Sequence, residues 1–368
     1  MTNGVADNPG SGTPVAFPQF FMTIDPKYKI PRGYNWNVTY QRQLTGDTTV
    51  ELAYVGTVGN YLSRERDLNQ LPTGTTFRPE NQANPGANIP RADVNFLRPF
   101  KGFANIPMLE HSGRSTYNGL QLEVNRRFSK GLLYGFAYTF SRTLDNNSGP
   151  RDAFYDVYNQ GLNWGKSAND VRHIAVVNFV WEIPGFNNAN NRILKGTLGG
   201  WQLAGVNQWQ TGTPVTLGNN DDYLGIGSPN FKPWNINGDI GLPKEFANVN
   251  AAGNYTGVTQ QYFSRTTDGG QPIATRPADG TLPNQNRNSV SFNAPGFQNW
   301  NIALFKTFRF YERHAVQFRA EGFNWINHPN WGGANGGGLE INPTQATFGM
   351  VTNKGSERNI QLSLKYTF

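Results

Sequence analysis

Few side chains in the sequence have the type and spacing needed for chemistry. The four histidines, His111, His173, His314 and His328, lie far apart and never form a metal-binding pair such as H-x-x-x-H. The chain has no cysteine, which excludes thiolate metal sites, cysteine nucleophiles and disulfides. A G-x-S-x-G nucleophile elbow is also absent from the sequence. We therefore predict no catalytic residue, no metal site and no cofactor, and we expect that the protein is not an enzyme.

Two other segments carry residue types that can bind ions. Asn219–Asp222 has the sequence Asn-Asn-Asp-Asp, and clustered oxygens of this kind suit Ca²⁺ in an external loop, although a solvated loop explains them as well. Gly332–Gly338 is rich in glycine but lacks the Lys-Ser/Thr of a phosphate-binding loop, so it predicts a flexible loop.

A further set of charged residues recurs at alternate positions of strand-like stretches. Residues of this kind could line a path for a substrate, or they could pair with each other across neighbouring strands of a wet interior. The members of this set are Glu51, Glu123, Glu182, Arg319, Glu321 and Lys365.

Composition excludes several broad classes of protein. The net charge is +7, but the Lys and Arg residues are scattered along the chain and form no basic run of 5–8 residues, so we expect no binding of nucleic acid. No stretch of about 18 apolar residues exists, which excludes helical membrane spans. Met1–Pro9 lacks the basic and apolar regions of a signal peptide. Aromatic residues make up 13% of a chain whose mean hydropathy is only −0.56, a combination typical of strands in which large apolar and polar residues alternate.

Alternation with a period of two predicts nine long antiparallel strands. A tilted membrane strand needs about 9–11 residues, which is longer than the usual strand of a globular sheet. The predicted strands are Tyr34–Leu44, Thr48–Thr57, a strand around Leu120–Asn125, Leu132–Ser141, Val176–Ile183, Trp201–Gly212, Asn299–Phe308, His314–Trp325 and Asn359–Phe368.

The links between these strands alternate strictly between short and long, with the long ones at 58–114, 143–171, 213–298 and 326–357. In an up-and-down sheet this alternation places all long links at one end, as in outer-membrane barrels with short periplasmic turns. The predicted fold is therefore all-β, a transmembrane antiparallel up-and-down barrel.

The bulk of the apolar row decides its predicted direction. Tyr134, Phe136, Tyr138 and Phe140 are too large for the interior of a small barrel, so we expect them to face lipid. The polar row should then face a hydrated lumen, and its predicted lumen-facing charges are Glu51, Glu123, Arg319, Glu321 and Lys365.

Several motifs resemble a known family. The final strand resembles the C-terminal insertion signal of bacterial outer-membrane proteins, with Leu362, Leu364, Tyr366 and Phe368 in its apolar row. Other stretches are similar to the barrel of TonB-dependent receptors of the Oar-like group. These stretches are Tyr34–Leu44, Ser115–Gln121, Tyr138–Asp145, Asp170–His173, Gly199–Leu203, Gln210–Pro214, Phe318–Asn324 and Asn327–Asn330.

The resemblance implies a barrel of about 22 strands with an N-terminal plug, located in the bacterial outer membrane. Residues 34–368 would be the C-terminal part of that barrel, and residues 1–33 an external loop or irregular segment. The implied function is energised uptake of a scarce ligand, either a small molecule or an oligosaccharide or peptide. The implied partners are outer-membrane lipid, the barrel-assembly machinery and, through an N-terminal region missing from this chain, TonB. Because nine is an odd number, we expect that these strands cannot close an antiparallel barrel alone.

The sequence is also compatible with one alternative. A soluble or cell-surface β-rich protein that binds glycans would also show alternating strands. It would, however, direct the Tyr/Phe/Trp row into a packed core. The direction of that row therefore discriminates between the two hypotheses.

Overall fold

The computed structural model describes residues 5–7, 14–16, 18–83, 93–185, 192–228, 230–238, 260–288, 292–310, 313–331, 338–351, 353–355 and 357–368. Nine long strands dominate these residues, as predicted. They are β1 (Arg32–Thr45), β2 (Thr48–Asp67), β3 (Pro107–Ser129), β4 (Leu132–Asp145), β5 (His173–Glu182), β6 (Trp201–Gln210), β7 (Phe297–Phe310), β8 (His314–Phe323) and β9 (Asn359–Thr367).

Each long strand pairs with the next one along the chain, and every one of these pairings is antiparallel. This confirms the predicted up-and-down sheet. β1 and β9 form the two ends of the sheet and do not pair with each other, so the barrel is open in the part of the chain described.

Shorter elements lie mainly in the links. One α-helix spans Arg192–Leu198, and 3-10 turns span Thr75–Phe77, Pro79–Asn81, Val94–Phe96 and Gln160–Asn163. None of the described helices has the length and apolar character needed to cross a membrane. The short strands are Val5–Asp7, Pro14–Ala16, Thr23–Ile24, Gly165–Lys166, Gly218–Asn219, Lys232–Pro233, Asn235–Ile236, Gln260–Gln261, Ala274–Thr275, Asn330–Trp331, Met350–Val351 and Lys354–Gly355.

β2 and β3 are longer than predicted, at 20 and 23 residues. The predicted loop 58–114 was therefore wrong at both of its ends. The register shifts near Tyr61, whose φ of 58° marks a β-bulge. Because a bulge inserts an extra residue and reverses the phase of alternation, the simple period of two ends there.

The short turn between β3 and β4 shows how the local sequence fixes the register. Lys130 and Gly131 have φ values of 51° and 79°. Positive φ at both central residues is the type I′ geometry, whose twist matches that of the flanking strands. Glycine at the second position makes this geometry accessible.

Strand register assigns side chains to the two faces of the sheet. Directly opposed residues of antiparallel strands share a face, and Glu51 lies opposite Glu123. Followed from strand to strand, the register puts all five predicted lumen-facing charges on this same face, which we call the charged face. The opposite face, called the aromatic face, carries Tyr134, Phe136, Tyr138, Phe140, Leu362, Leu364 and Tyr366.

The hydrophobic core lies outside the sheet. Among the buried hydrophobic residues described, only Ala53 belongs to a long strand. The rest lie in the long links, where Leu217, Phe263, Ile273 and Phe348 form the main cluster. A second cluster contains Tyr223, Leu224, Ile226 and Trp234. We call residues 213–228, 230–238, 260–288, 292–296 and 338–351 the dome.

Candidate functional site

The long links meet at one end of the sheet and bond to each other. The link after β2 reaches the dome through the Leu71 amide, which donates to the carbonyl of Ile226 at 3.1 Å. The link after β4 also contacts the dome, since the Arg287 amide of the dome donates to the carbonyl of Leu162 at 2.8 Å. The link after β8 joins it where the Gly218 amide donates to the carbonyl of Ile341 at 3.2 Å. The predicted gathering of long links at one end is therefore confirmed.

The charged face does not bring the predicted lumen charges into one cluster. Glu51 and Glu123 oppose each other on β2 and β3, whereas the remaining three lie on β8 and β9 at the far end of the sheet. Arg319 and Glu321 form an ion pair of 2.7 Å within β8. The sheet therefore carries an acidic region and a mixed region on one face.

A buried guanidinium ties the dome to the end of β4. Arg287 forms an ion pair with Asp145, and its second partner, Asp152, is 3.4 Å away. Its Nη1 also donates to the hydroxyl of Ser148 at 3.3 Å. Burial lowers the pKa of Arg287 to about 10, which still leaves it charged at neutral pH. This ion pair joins residues that are far apart in sequence, and no local pattern in the sequence predicted it.

Arg64 lies nearby in the extension of β2. Its side chain is fully buried, and its guanidinium carbon stacks 3.2 Å from the centroid of the Phe154 ring. Arg66, two residues on, pairs with Glu110 at 2.6 Å. The sequence contained one available signal for this region, the alternating charge signs of residues 64–67, which is typical of a strand with polar residues on both faces.

A polar cavity of about 430 Å³ opens at the same end, between the outer parts of β2 and β3, the segment before β1 and the link after β4. Two aromatic rings and two basic side chains contribute to it, namely Tyr61, Trp164, Lys29 and Arg114. The ammonium of Lys29 lies 4.9 Å from the centre of the Tyr61 ring. Rings with adjacent donors and cations suit a polar ligand that carries negative charge. The cavity is also lined by His111, Ser112, Asn146 and Gln160.

Two of the four histidines, His173 and His328, line one further cavity of about 450 Å³, whereas His111 and His314 lie elsewhere. His173 bonds to the hydroxyl of Tyr138 at 2.8 Å, and His314 bonds to that of Tyr366 at 2.6 Å. His111 lines the cavity, and the backbone amide of His328 donates to the side chain of Asn324. Within the described ranges, no three His, Cys, Asp or Glu side chains come together to hold a metal ion.

The oxygen-rich segment Asn219–Asp222 uses its side chains inside the dome. Asn219 accepts from the indole N–H of Trp234 at 3.0 Å, and Asp221 pairs with Arg276. The carboxylate of Asp222 accepts from the amides of Ile226 and Gly227, and Lys232 lies 3.8 Å away. These oxygens therefore stabilise the dome through protein donors, and the candidate Ca²⁺ site of the sequence is not supported.

Lys232 should make the stability of the dome depend on pH. Its side chain is buried, and burial lowers its pKa from 10.5 to about 8. Above pH 8 the unfolded chain therefore binds more protons at this lysine than the folded chain, so stability should rise with pH from 8 to 9.5. Nearer pH 10 the raised pKa of Tyr223 opposes this trend.

The measurement is guanidinium unfolding of the dome, followed by a fluorophore on Asp268→Cys, at several pH values in this window. Lys232→Met should abolish the rise. Lys354→Met makes the same change at an exposed lysine and should retain it. An equal pH slope in the two variants would contradict the assignment.

The family comparison is decisive for the class of protein. The model of the family described as outer membrane beta barrel domain matches residues 1–361 of this chain. The chain belongs to this family. Its location is the bacterial outer membrane, and its sheet is the wall of an outer-membrane barrel, as the sequence predicted.

Solved structures similar to this outer-membrane barrel share little sequence with it. The outer membrane transporter YddB from Escherichia coli is 11% identical and has a TM-score of 0.46, with 97% of this chain and 35% of YddB covered. The ferric preacinetobactin receptor BauA from Acinetobacter baumannii is 11% identical and has a TM-score of 0.41, with 91% of this chain and 29% of BauA covered.

The pyoverdine receptor FpvA from Pseudomonas aeruginosa is 11% identical and has a TM-score of 0.39, with 92% of this chain and 30% of FpvA covered. The chain thus spans about a third of the length of these structures. No curated protein matches this barrel.

Proposed function

We propose that this chain contributes barrel wall and external ligand-binding surface to a TonB-dependent outer-membrane receptor of the Oar-like type, which takes up a scarce ligand. The observation that carries the proposal is that the two faces of the sheet differ in chemistry and that the long links form a separate packed unit. One sheet face is charged, the other is aromatic and exposed, and the long links fold into a packed dome with a polar cavity beside it.

Residues 34–368 are assigned to the barrel wall and its external links, and residues 1–33 to an external loop or irregular segment before it. Transport is the proposed activity, rather than catalysis. The apolar row of β9, with Phe368 after it, is proposed as the segment that the barrel-assembly machinery recognises.

The aromatic face supports placement against lipid. On β7, Trp300 and Phe308 lie about 26 Å apart along the strand at ~3.3 Å per residue, with Ile302 and Leu304 between them. A strand tilt of about 40° shortens this to roughly 20 Å, close to the apolar band of ~25 Å in outer-membrane barrels. Trp209 packs edge-on against Trp300, with 5.1 Å between the ring centres, and adds a second indole at the end of the sheet where the long links lie.

The soluble alternative is not favoured. It required the Tyr/Phe/Trp row to enter a packed core, yet Trp36, Tyr54, Phe140 and Tyr366 are all exposed. Exposure of this extent on one continuous face fits a lipid-facing wall.

Ligand binding at the cavity tests the receptor function. Trp164 fluorescence should change saturably with at least one probe from a panel of ferric citrate, a ferric catecholate, an oligosaccharide and a short peptide. Because Arg114 lines the cavity, Arg114→Ala should weaken binding of an anionic probe. Trp164→Phe should remove the signal, which identifies its source. Failure of every probe to bind, or equal affinity in Arg114→Ala, would count against the site.

The orientation of the sheet can be tested by labelling, since the chain contains no cysteine. In intact cells, Asp268→Cys in the dome should react with a membrane-impermeant maleimide. Gly46→Cys in the turn between β1 and β2 should react only after the outer membrane is permeabilised. The reverse pattern would invert the proposed topology.

A further inference from the structure

The link between β5 and β6 holds a feature that transport does not require. Three aliphatic side chains of its helix, Arg192–Leu198, are exposed: Ile193 at 74%, Leu194 at 40% and Leu198 at 47%. At about 100° per residue these three fall within one arc of roughly 140° on the helix surface. Lys195 lies on the opposite side, about 200° from Ile193. Thr197 falls inside the same arc, where its hydroxyl donates to the carbonyl of Ile193 at 2.7 Å. Lys195 is exposed as well, so the helix presents an apolar side and a basic side.

Lys306 fixes this helix to the sheet. Its ammonium donates to the carbonyls of Thr197 at 2.9 Å and Gly199 at 2.5 Å, at the C-terminal end where a cation also meets the negative end of the helix dipole. The indole N–H of Trp201 donates to the same Thr197 carbonyl at 3.0 Å. Only 2% of Lys306 is exposed. The end of the helix is thus held in one place.

The register shows which face of the sheet the helix joins. Lys306 lies opposite Trp201 on β6 and Phe318 on β8, and all three belong to the aromatic face. The Lys306 ammonium is also 5.1 Å from the ring centres of Trp201 and Phe308. The helix therefore sits at the turn end of the sheet, on the face proposed to contact lipid.

We infer that the apolar side of this helix inserts into the phospholipid leaflet at the turn end of the barrel and anchors the rim there. The inference rests on the proposed direction of the aromatic face. Lipid is the occupant because the exposed stripe continues into exposed aromatic residues at the same end of the sheet, Phe308, Phe310 and Tyr366. Amphipathic helices of this kind lie in the membrane interface, and lysines beside them reach the headgroups.

Spin-label accessibility in vesicles of phosphatidylethanolamine and phosphatidylglycerol tests this placement, since the chain offers no competing cysteine. A label on Ile193→Cys should be relaxed several-fold more by oxygen than by a water-soluble nickel complex. A label on Lys195→Cys, on the other side of the same helix, should show the reverse preference.

Two further labels separate this inference from the proposed orientation. Phe136→Cys on the aromatic face should be accessible to oxygen, and Ala137→Cys on the charged face to nickel. If Phe136→Cys behaves as predicted but Ile193→Cys prefers nickel, the helix faces water or a protein partner and the inference is overturned. If Phe136→Cys itself prefers nickel, the proposed orientation fails and the inference fails with it.

Discussion

Replacing Phe136 with arginine should cost about 2–4 kcal/mol in the free energy of folding into a bilayer. Phe136 lies in the middle of the aromatic face, opposite Val124 on β3 and Val177 on β5. Its neighbours on the same face are these two valines and, along β4, Tyr134 and Tyr138, so a guanidinium there loses its hydration and finds no acidic partner among them. The measurement is reversible denaturant unfolding of the protein in lipid vesicles, compared with the unmodified chain.

Ala137→Arg is the matched control for this prediction. It introduces the same side chain on the same strand at nearly the same depth, but on the charged face. There the new guanidinium would lie directly opposite Glu123, which can pair with it. We expect a small change in the free energy of unfolding. If Ala137→Arg loses more free energy of unfolding than Phe136→Arg, the aromatic face lines the lumen and the proposed orientation is reversed.

The strands of the sheet were predictable because their information is local. In β9, Ile360, Leu362 and Leu364 alternate with polar residues, and such a pattern fits only a pleated strand between two different environments. The pattern also set the register, since a slip by one residue would exchange the two faces. Alternation could not predict the extension of β2 past Tyr61, where a bulge changes the phase.

The packing within the links and around the cavity could not be predicted, because it depends on contacts between residues that are distant in sequence. The dome core joins Leu217, Phe263 and Phe348, which come from distant segments without any periodic spacing. The cavity likewise combines Lys29, Arg114 and Trp164, residues that only the tertiary fold brings together.

The helix after β5 was missed because Gly196 and Thr197 are weak helix formers. Its anchor, Lys306, lies far along the chain. A seven-residue helix of this composition depends on that tertiary contact rather than on local propensity.

Removing the charge of Arg287 should loosen the packing of the dome against the barrel. Arg287→Met would leave the Asp145 carboxylate buried without its cation, and breaking a buried pair in this way costs about 3–5 kcal/mol. Asp145 is the last residue of β4, so this ion pair connects the wall directly to residues 260–288 of the dome. We expect faster proteolytic cleavage within the dome, measured as the initial rate at low protease concentration.

Arg276→Met is the control, because Arg276 makes comparable ion pairs with Asp221 and Asp279 on the dome surface. More than a third of its side chain is exposed, and a surface pair of this kind contributes about 0–1 kcal/mol. Equal cleavage rates in the two variants would show that Arg287 does not hold the dome. Combining Arg287→Met with Asp145→Leu removes both charges, so the double variant should be cleaved more slowly than Arg287→Met alone. That recovery would show that the unpaired carboxylate, rather than a lost side-chain contact, causes the loosening.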